Sequence, residues 1–203
     1  MLIRIHPDDP QPRLIKQVAD CLRNGGVIIY PTDTIYGLGC DIFHAEAVTR
    51  ICRIKGIDPK KSHFSFVCSG LEHLGEYTKS IDKSIFRLLK ASLPGPYTFI
   101  LEASRQVPKM LKAKRDTVGI RVPDNNICRM LVEELGHPIM STSLPMDGEV
   151  EYYTDPELME EQFGKLVDMV IDGGHGGILP STVIDCTDGT PELVRAGAGA
   201  FEA

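Results

Sequence analysis

The chain has no C-x-x-C pair: its six cysteines, Cys21, Cys40, Cys52, Cys68, Cys128 and Cys186, are scattered. That spacing excludes a zinc ribbon and a thioredoxin-like dithiol. The six histidines show no H-E-x-x-H or similar spacing, which argues against a metal held by the protein alone. No Walker P-loop and no G-x-S-x-G elbow occurs. No apolar run is long enough to cross a bilayer, and the opening MLIRIHPDDP lacks the apolar stretch and cleavage pattern of a signal peptide. The expectation is a cytoplasmic protein with no membrane partner and with reduced, mostly buried thiols. Internal repeats, low-complexity runs and linkers are also missing.

Positive charge is in short supply as well. The formal net charge is −6, which disfavours a broad nucleic-acid surface but leaves room for a local basic pocket. The 203 residues, 42% apolar and 25% charged, suit a single globular domain over residues 1–203 and exclude a disordered chain. Segments of helical and strand period alternate throughout, the mark of an α/β or mixed sheet. Helical spacing falls at Pro12–Arg23, Ala45–Ile54, Ile81–Leu89, Ile127–Leu135 and Asp155–Phe163, the last lying over an exposed edge. Strands are expected at Val27–Tyr30, Phe64–Cys68, Tyr97–Leu101, Val118–Val122, Ile139–Thr142, Val167–Ile171, Val183–Cys186 and Glu192–Arg195.

Five segments hold residues able to do chemistry. In Pro31-Thr32-Asp33-Thr34-Ile35-Tyr36-Gly37-Leu38-Gly39, two hydroxyls, a carboxylate and a phenol crowd one turn after a buried strand. Its glycines permit close backbone approach to a ligand, although Thr and Asp also satisfy turns on their own account. Arg53, Lys55, Lys60 and Lys61 place four cations within nine residues of a Gly/Pro-broken segment, suited to a phosphate or simply to a helix C-terminus. Arg121 sits inside the apolar strand Val118–Val122 and must find an anion, either a ligand carboxylate or a structural partner such as Asp33 or Asp185. Ser141-Thr142-Ser143 ends a strand with three hydroxyls, fit to line a polar site or to cap a turn. Ser181-Thr182-Val183-Ile184-Asp185 is followed by Arg195-Ala196-Gly197, readable as plain β-propensity and a closing loop. The glycine run Gly173-Gly174-His175-Gly176-Gly177 is not a dinucleotide fingerprint, because no helix is expected after it to meet a pyrophosphate.

In this order the segments resemble the YrdC/YciO family, almost end to end. PTDTIYGLG (31–39) is the most specific element, supported by PGPYTFIL (94–101), VGIRVPD (118–124), PIMSTS (138–143) and STVID with VRAG (181–197). HPDDPQPRLI, RICRIK and STSLP resemble the YciO branch in particular. The resemblance implies a twisted mixed α/β sheet with flanking helices around a deep basic cavity. Its implied activity is that of threonylcarbamoyl-AMP synthases, nucleotidyltransferases that join ATP, L-threonine and bicarbonate for threonylcarbamoyladenosine modification of transfer RNA. Carried across, Thr34 and Tyr36 line the threonine end, Arg121 holds the acid carboxylate, and Ser181 with Arg195 flanks the junction with the nucleotide. Lys55, Lys61, Ser141 and Ser143 face the nucleotide, with Lys55 and Ser143 nearest the reaction and Mg²⁺ arriving on the ATP phosphates. Some members have been described as binding double-stranded RNA, so a non-catalytic module that binds tRNA or double-stranded RNA and keeps a nucleotide pocket is the competing implication.

Two family signatures are broken. The K-x-R of the synthases reads Lys55-Gly56-Ile57, and their S-x-N reads Ser143-Leu144-Pro145. Each lost hydrogen bond to a charged group is worth roughly 1.5–3 kcal/mol. Losing both predicts a synthase rate reduced by about a hundred- to ten-thousand-fold, or a shifted substrate. Lys60 or Lys61 offers charge in place of the arginine but not its bidentate fork.

Overall fold

The structure, a computed structural model, describes residues 1–58, 64–111, 116–145 and 150–201. The chain opens with strand β1 (Leu2–Arg4) and helix α1 (Pro12–Arg23). Pro12 occupies the first turn of α1, where its missing N–H removes no hydrogen bond. The inward stripe of α1 is Ile15, Val18, Ala19 and Leu22. Strands β2 (Ile28–Tyr30) and β3 (Gly37–Asp41) lead to α2 (Ala45–Lys55) and β4 (Ser65–Val67). Short α3 (Leu74–Tyr77), α4 (Lys83–Ser92), β5 (Tyr97–Glu102) and β6 (Thr117–Arg121) follow. Helix α5 (Asn126–Leu135) starts at Asn125, whose side chain accepts from the Cys128 N–H at 3.0 Å. Then come β7 (Ile139–Ser143), α6 (Glu151–Thr154), α7 (Pro156–Phe163), β8 (Met169–Asp172), β9 (Thr182–Asp185) and β10 (Glu192–Arg195).

The strands form one ten-stranded mixed sheet in the order β1-β8-β2-β3-β7-β4-β6-β5-β9-β10 among the described residues. The β1–β8, β2–β8, β4–β6 and β5–β9 pairs are parallel, and the rest antiparallel. Helices cover both faces. Helices α1 and α5 pack together over one face, on Ile28, Tyr30, Val67, Ile139 and Ile171. Ile29, Leu38, Phe66, Phe99 and Ile120 point to the other face, towards α2 and α4. That alternation explains why β2 reads as a continuous apolar run: each of its residues meets a covered face.

The family fold expected from the sequence is present, and every expected helix and strand is found to within about three residues. Four elements were not expected. Residues 37–39 are not part of a turn but open β3, which pairs antiparallel with β2 (Tyr30↔Gly37) and leaves 31–36 as the connecting loop. Glycines hide that strand. A Cβ on Gly39 would lie 2.8 Å from the Tyr30 ring and 2.9 Å from Ile139, so packing demands glycine where propensity disfavours it. Strand β1 and the single-turn helices α3 and α6 carry too few residues to show a period, and none was expected. Helix α7 does lie against an edge: it packs on β8 and on β1, the outermost strand.

Candidate functional site

A cavity of about 200 Å³ opens on the sheet where β3, β7, β4, β6, β5, β9 and β10 lie side by side. Registry makes it. Ser141 on β7 pairs with Ser65 on β4, and Ser65 pairs with Gly119 on β6. This row of small residues crosses three neighbouring strands and leaves unfilled the space that larger side chains would occupy. Tyr36, Arg121, Ser141, Ser143, Ser181 and Arg195, expected at a site from the sequence, all border this hollow. Ser65 and Thr98 border it too and were not foreseen. Nothing in a lone Ser or Thr signals a site until the register is known.

Arg121 is buried at 7% exposure. Its Nη2 donates to Asp33 Oδ1 at 2.8 Å, to Thr34 Oγ1 at 2.9 Å and, at 3.5 Å, to Thr32 Oγ1. Asp33 is thus the structural partner, and Asp185 is not: its carboxylate accepts from Thr187. The Nε of Arg121 is buried and has no partner among the described residues. Thr34 does not itself border the cavity but touches it through the guanidinium. Facing Arg121 from the edge strand, Arg195 donates to the Ser181 carbonyl at 2.7 Å. Its guanidinium pKa is lowered by burial and then by the like charge of Arg121. Ser181 in turn shares a hydrogen bond with Thr98 at 2.8 Å. The space is thus bordered by Arg195 and by an Arg121 whose charge is already paired with Asp33 behind it, and no carboxylate is among the described residues that line it.

Lys55, expected at the site, does not itself border the cavity: from the end of α2 it reaches two residues that do, donating to Thr142 Oγ1 at 3.1 Å, to Ser143 Oγ at 3.2 Å and to the Ser143 carbonyl. Burial lowers its pKa. Ser141 is fixed from behind by the Tyr30 hydroxyl, which donates to it at 2.6 Å. The Tyr36 ring borders the cavity, but its hydroxyl is engaged elsewhere. It donates to the Gly174 carbonyl at 2.7 Å and accepts from the Gly173 N–H at 3.2 Å. Ile57, in the place of the signature arginine, packs partly buried against the core. Lys60 and Lys61 lie outside the described residues.

The Telomere recombination family model, covering Sua5, YciO and YrdC, matches residues 20–197. The chain belongs to this family. Among its relatives is the uncharacterized protein YciO of Escherichia coli K12, 47% identical over 196 residues that make up 96% of this chain and 94% of that protein. The crystal structure of E. coli YciO superimposes with a TM-score of 0.92 at 46% identity, covering 98% of this chain and 97% of that one. A threonylcarbamoyl-AMP synthase of Coxiella burnetii is 32% identical over 92% of this chain and 99% of its own length. Sua5 of Pyrococcus abyssi in complex with L-threonine superimposes with a TM-score of 0.87 at 31% identity, over 97% of this chain but 57% of that longer protein.

Proposed function

We propose that the chain is a threonylcarbamoyl-AMP synthase-like nucleotidyltransferase acting on ATP, L-threonine and bicarbonate, with a rate held down by Ile57 and Pro145. The observation that carries this reading is the pair of guanidiniums, Arg121 and Arg195, facing one cavity whose wall has hydroxyls but no carboxylate among the described residues. Such a site attracts a small anion, because Arg195, exposed on the edge strand and without an ion pair among the described residues, adds its charge beside the Asp33-paired Arg121. The cavity volume of about 200 Å³ lies below the ~300 Å³ at which drug-sized pockets begin. It suits an acid of amino-acid size, with the nucleotide reaching out over the rim formed by Ser143.

In this reading Arg121, steadied by Thr34 and Asp33, binds the threonine carboxylate. The threonine amine attacks the carbon of bicarbonate, a C–O bond breaks, and hydroxide leaves as water with an amine proton to give a carbamate. A carbamate oxygen attacks the α-phosphorus of ATP, the bond to the bridging oxygen breaks, and pyrophosphate leaves. Arg195, Ser181 and Ser143 steady the charge that develops between acid and phosphate. Mg²⁺ enters as part of the ATP substrate, held by its phosphates. The donors here are neutral hydroxyls, and no cluster of three or more His, Cys, Asp or Glu able to hold a metal occurs among the described residues.

The test is pyrophosphate release with ATP, threonine, bicarbonate and Mg²⁺. Release is expected only when all four are present and should fall at least tenfold in Arg121→Ala. Release that is indifferent to threonine would overturn the reading.

A further inference from the structure

The glycine run 173–177 has no part in the chemistry proposed above, yet its residues meet the loop that holds Arg121. It leaves β8, second in the sheet, on its way to β9, ninth in the sheet. The Gly177 N–H donates to the Thr34 carbonyl at 2.8 Å, and Gly173 and Gly174 grip the Tyr36 hydroxyl. Three of the four glycines are required by close approach to this same loop. A Cβ on Gly173 would lie 2.7 Å from Pro31, on Gly176 2.6 Å from the Tyr36 ring, and on Gly177 2.5 Å from the Thr34 carbonyl oxygen. The fourth, Gly174, has φ +94°, a conformation open to glycine. Between them His175 points outward, its side chain 78% exposed.

We infer that the strand-crossing strap Gly173–Gly177 is the positioning element for Arg121, setting acid affinity by fixing Thr34 and Tyr36 from behind. The physical chain is short. Nη2 of Arg121 carries its hydrogen bonds to Asp33 and Thr34, while Nε has no partner among the described residues. A guanidinium held from one side is oriented only as well as that side is fixed. Thr34 is fixed by the strap at its carbonyl and by Thr32, whose Oγ1 accepts from the Thr34 N–H at 3.1 Å. A backbone displacement of a few tenths of an ångström at Thr34 is passed directly to the Thr34 hydroxyl and thence to Arg121.

The acid-binding role rests on the proposed function; the geometric coupling does not. Gly177→Ala is the discriminating variant. Gly177 does not have a positive φ, so alanine keeps both the conformation and the N–H donor and adds only the clash with the Thr34 carbonyl. His175→Ala is the control within the same strap. Two readouts are needed. In the ligand-free protein, the Arg121 Nε–H resonance, assigned by its loss in Arg121→Lys, should move in Gly177→Ala and stay in place in His175→Ala. Calorimetric titration with L-threonine should show affinity at least tenfold weaker in Gly177→Ala, with ATP affinity within twofold of wild type. An unmoved Arg121 resonance in a folded Gly177→Ala protein overturns the inference, as does an equal loss of threonine and ATP affinity. If the resonance moves but even wild type does not bind threonine, the coupling stands and the proposed substrate falls. Gly176→Ala, which presses on the Tyr36 ring instead, gives the same test should Gly177→Ala not fold.

Discussion

Lys55 and Ser143 are joined twice: the lysine ammonium donates both to the serine carbonyl and, at 3.2 Å, to its hydroxyl. With Thr142 as the third acceptor, every N–H of the ammonium is directed at the end of β7. The residue expected to meet phosphates is thus first a clamp between α2 and β7. Its charge still acts on the site as a field, but its donors are committed.

Replacing Lys55 should therefore cost stability as well as activity. Lys55→Met keeps the apolar stem and removes three hydrogen bonds from a charged donor. A loss of at least the roughly 1.5–3 kcal/mol of one such bond is expected, read as a lower urea midpoint at unchanged slope. Lys55→Arg should not recover it, because a planar fork cannot converge on three acceptors arranged around a point charge. Wild-type stability in Lys55→Arg would refute the clamp.

Asp33 and Arg121 form a buried pair, both side chains below 10% exposed, at 2.8 Å. Removing one partner of such a pair leaves an uncompensated charge and costs about 3–5 kcal/mol. Asp33→Ala is expected to lose stability on that scale, and some of it should return when a carboxylate ligand enters the cavity. Saturating L-threonine should then raise the melting temperature more in Asp33→Ala than in wild type. Asp33 also accepts from the Asp124 N–H at 3.2 Å, so recovery is partial. An equal shift in both proteins would mean that the ligand does not reach Arg121.

Much of this site can be read from the sequence, and the limit has a physical cause. Arg121 in an apolar strand announces a buried anion partner, and Asp33 is that partner. Ser141–Ser143 and Ser181 show their hydroxyls at strand ends. The hollow itself is a product of register, since Ser141, Ser65 and Gly119 matter only because they fall side by side. The strap was legible as a glycine run but not as a neighbour of Thr34, because 138 residues separate Tyr36 from Gly174 and only topology unites them. Strand β3 was hidden for the opposite reason: its glycines serve the packing of Tyr30 at the expense of local propensity.

His137 and Asp41 form a pH-dependent tie at the other end of β3 and β7. His137 Nε2 lies 3.4 Å from Asp41 Oδ2, and its Nδ1 lies 3.1 Å from the Pro138 carbonyl. Burial pulls the His137 pKa down, and Arg23 adds to that, but two acceptors favour the doubly protonated ring and the net shift is upward from 6.5. Burial likewise pushes Asp41 up, but bonds from His137 and the Phe43 N–H outweigh it and its pKa falls below 3.8. The His137 contribution is complete below its unfolded value of 6.5 and disappears as pH rises through the higher folded value. The Asp41 contribution is complete above 3.8 and disappears as pH falls through the lower folded value. The tie is therefore strongest between these two pH values. His137→Asn should remove about 1 kcal/mol of stability at pH 5.5 and much less at pH 8.5. A difference independent of pH, measured by urea unfolding across that range, would show that the ring stays neutral.

The broken signatures supply the sharpest test of the proposed reaction, because they can be rebuilt. Ile57 follows the left-handed cap at Gly56, its N–H bonded to the Cys52 carbonyl at 3.0 Å, and its side chain rests partly buried on the core. Ile57→Arg gives up some of that apolar contact, about 1 kcal/mol, and supplies a guanidinium two residues beyond Lys55, past the end of α2. Pro145→Asn restores an amide two residues beyond Ser143 and frees a backbone N–H. If the triphosphate side is what limits turnover, each change alone should raise threonine-dependent pyrophosphate release several-fold. The two together should exceed the product of the single effects, since both act on one group of phosphates. ATP affinity should rise in step while threonine affinity stays level, because the acid end is untouched. A folded double variant with unchanged release would place the limitation elsewhere, and would favour a substrate other than ATP for the same acid-binding cavity.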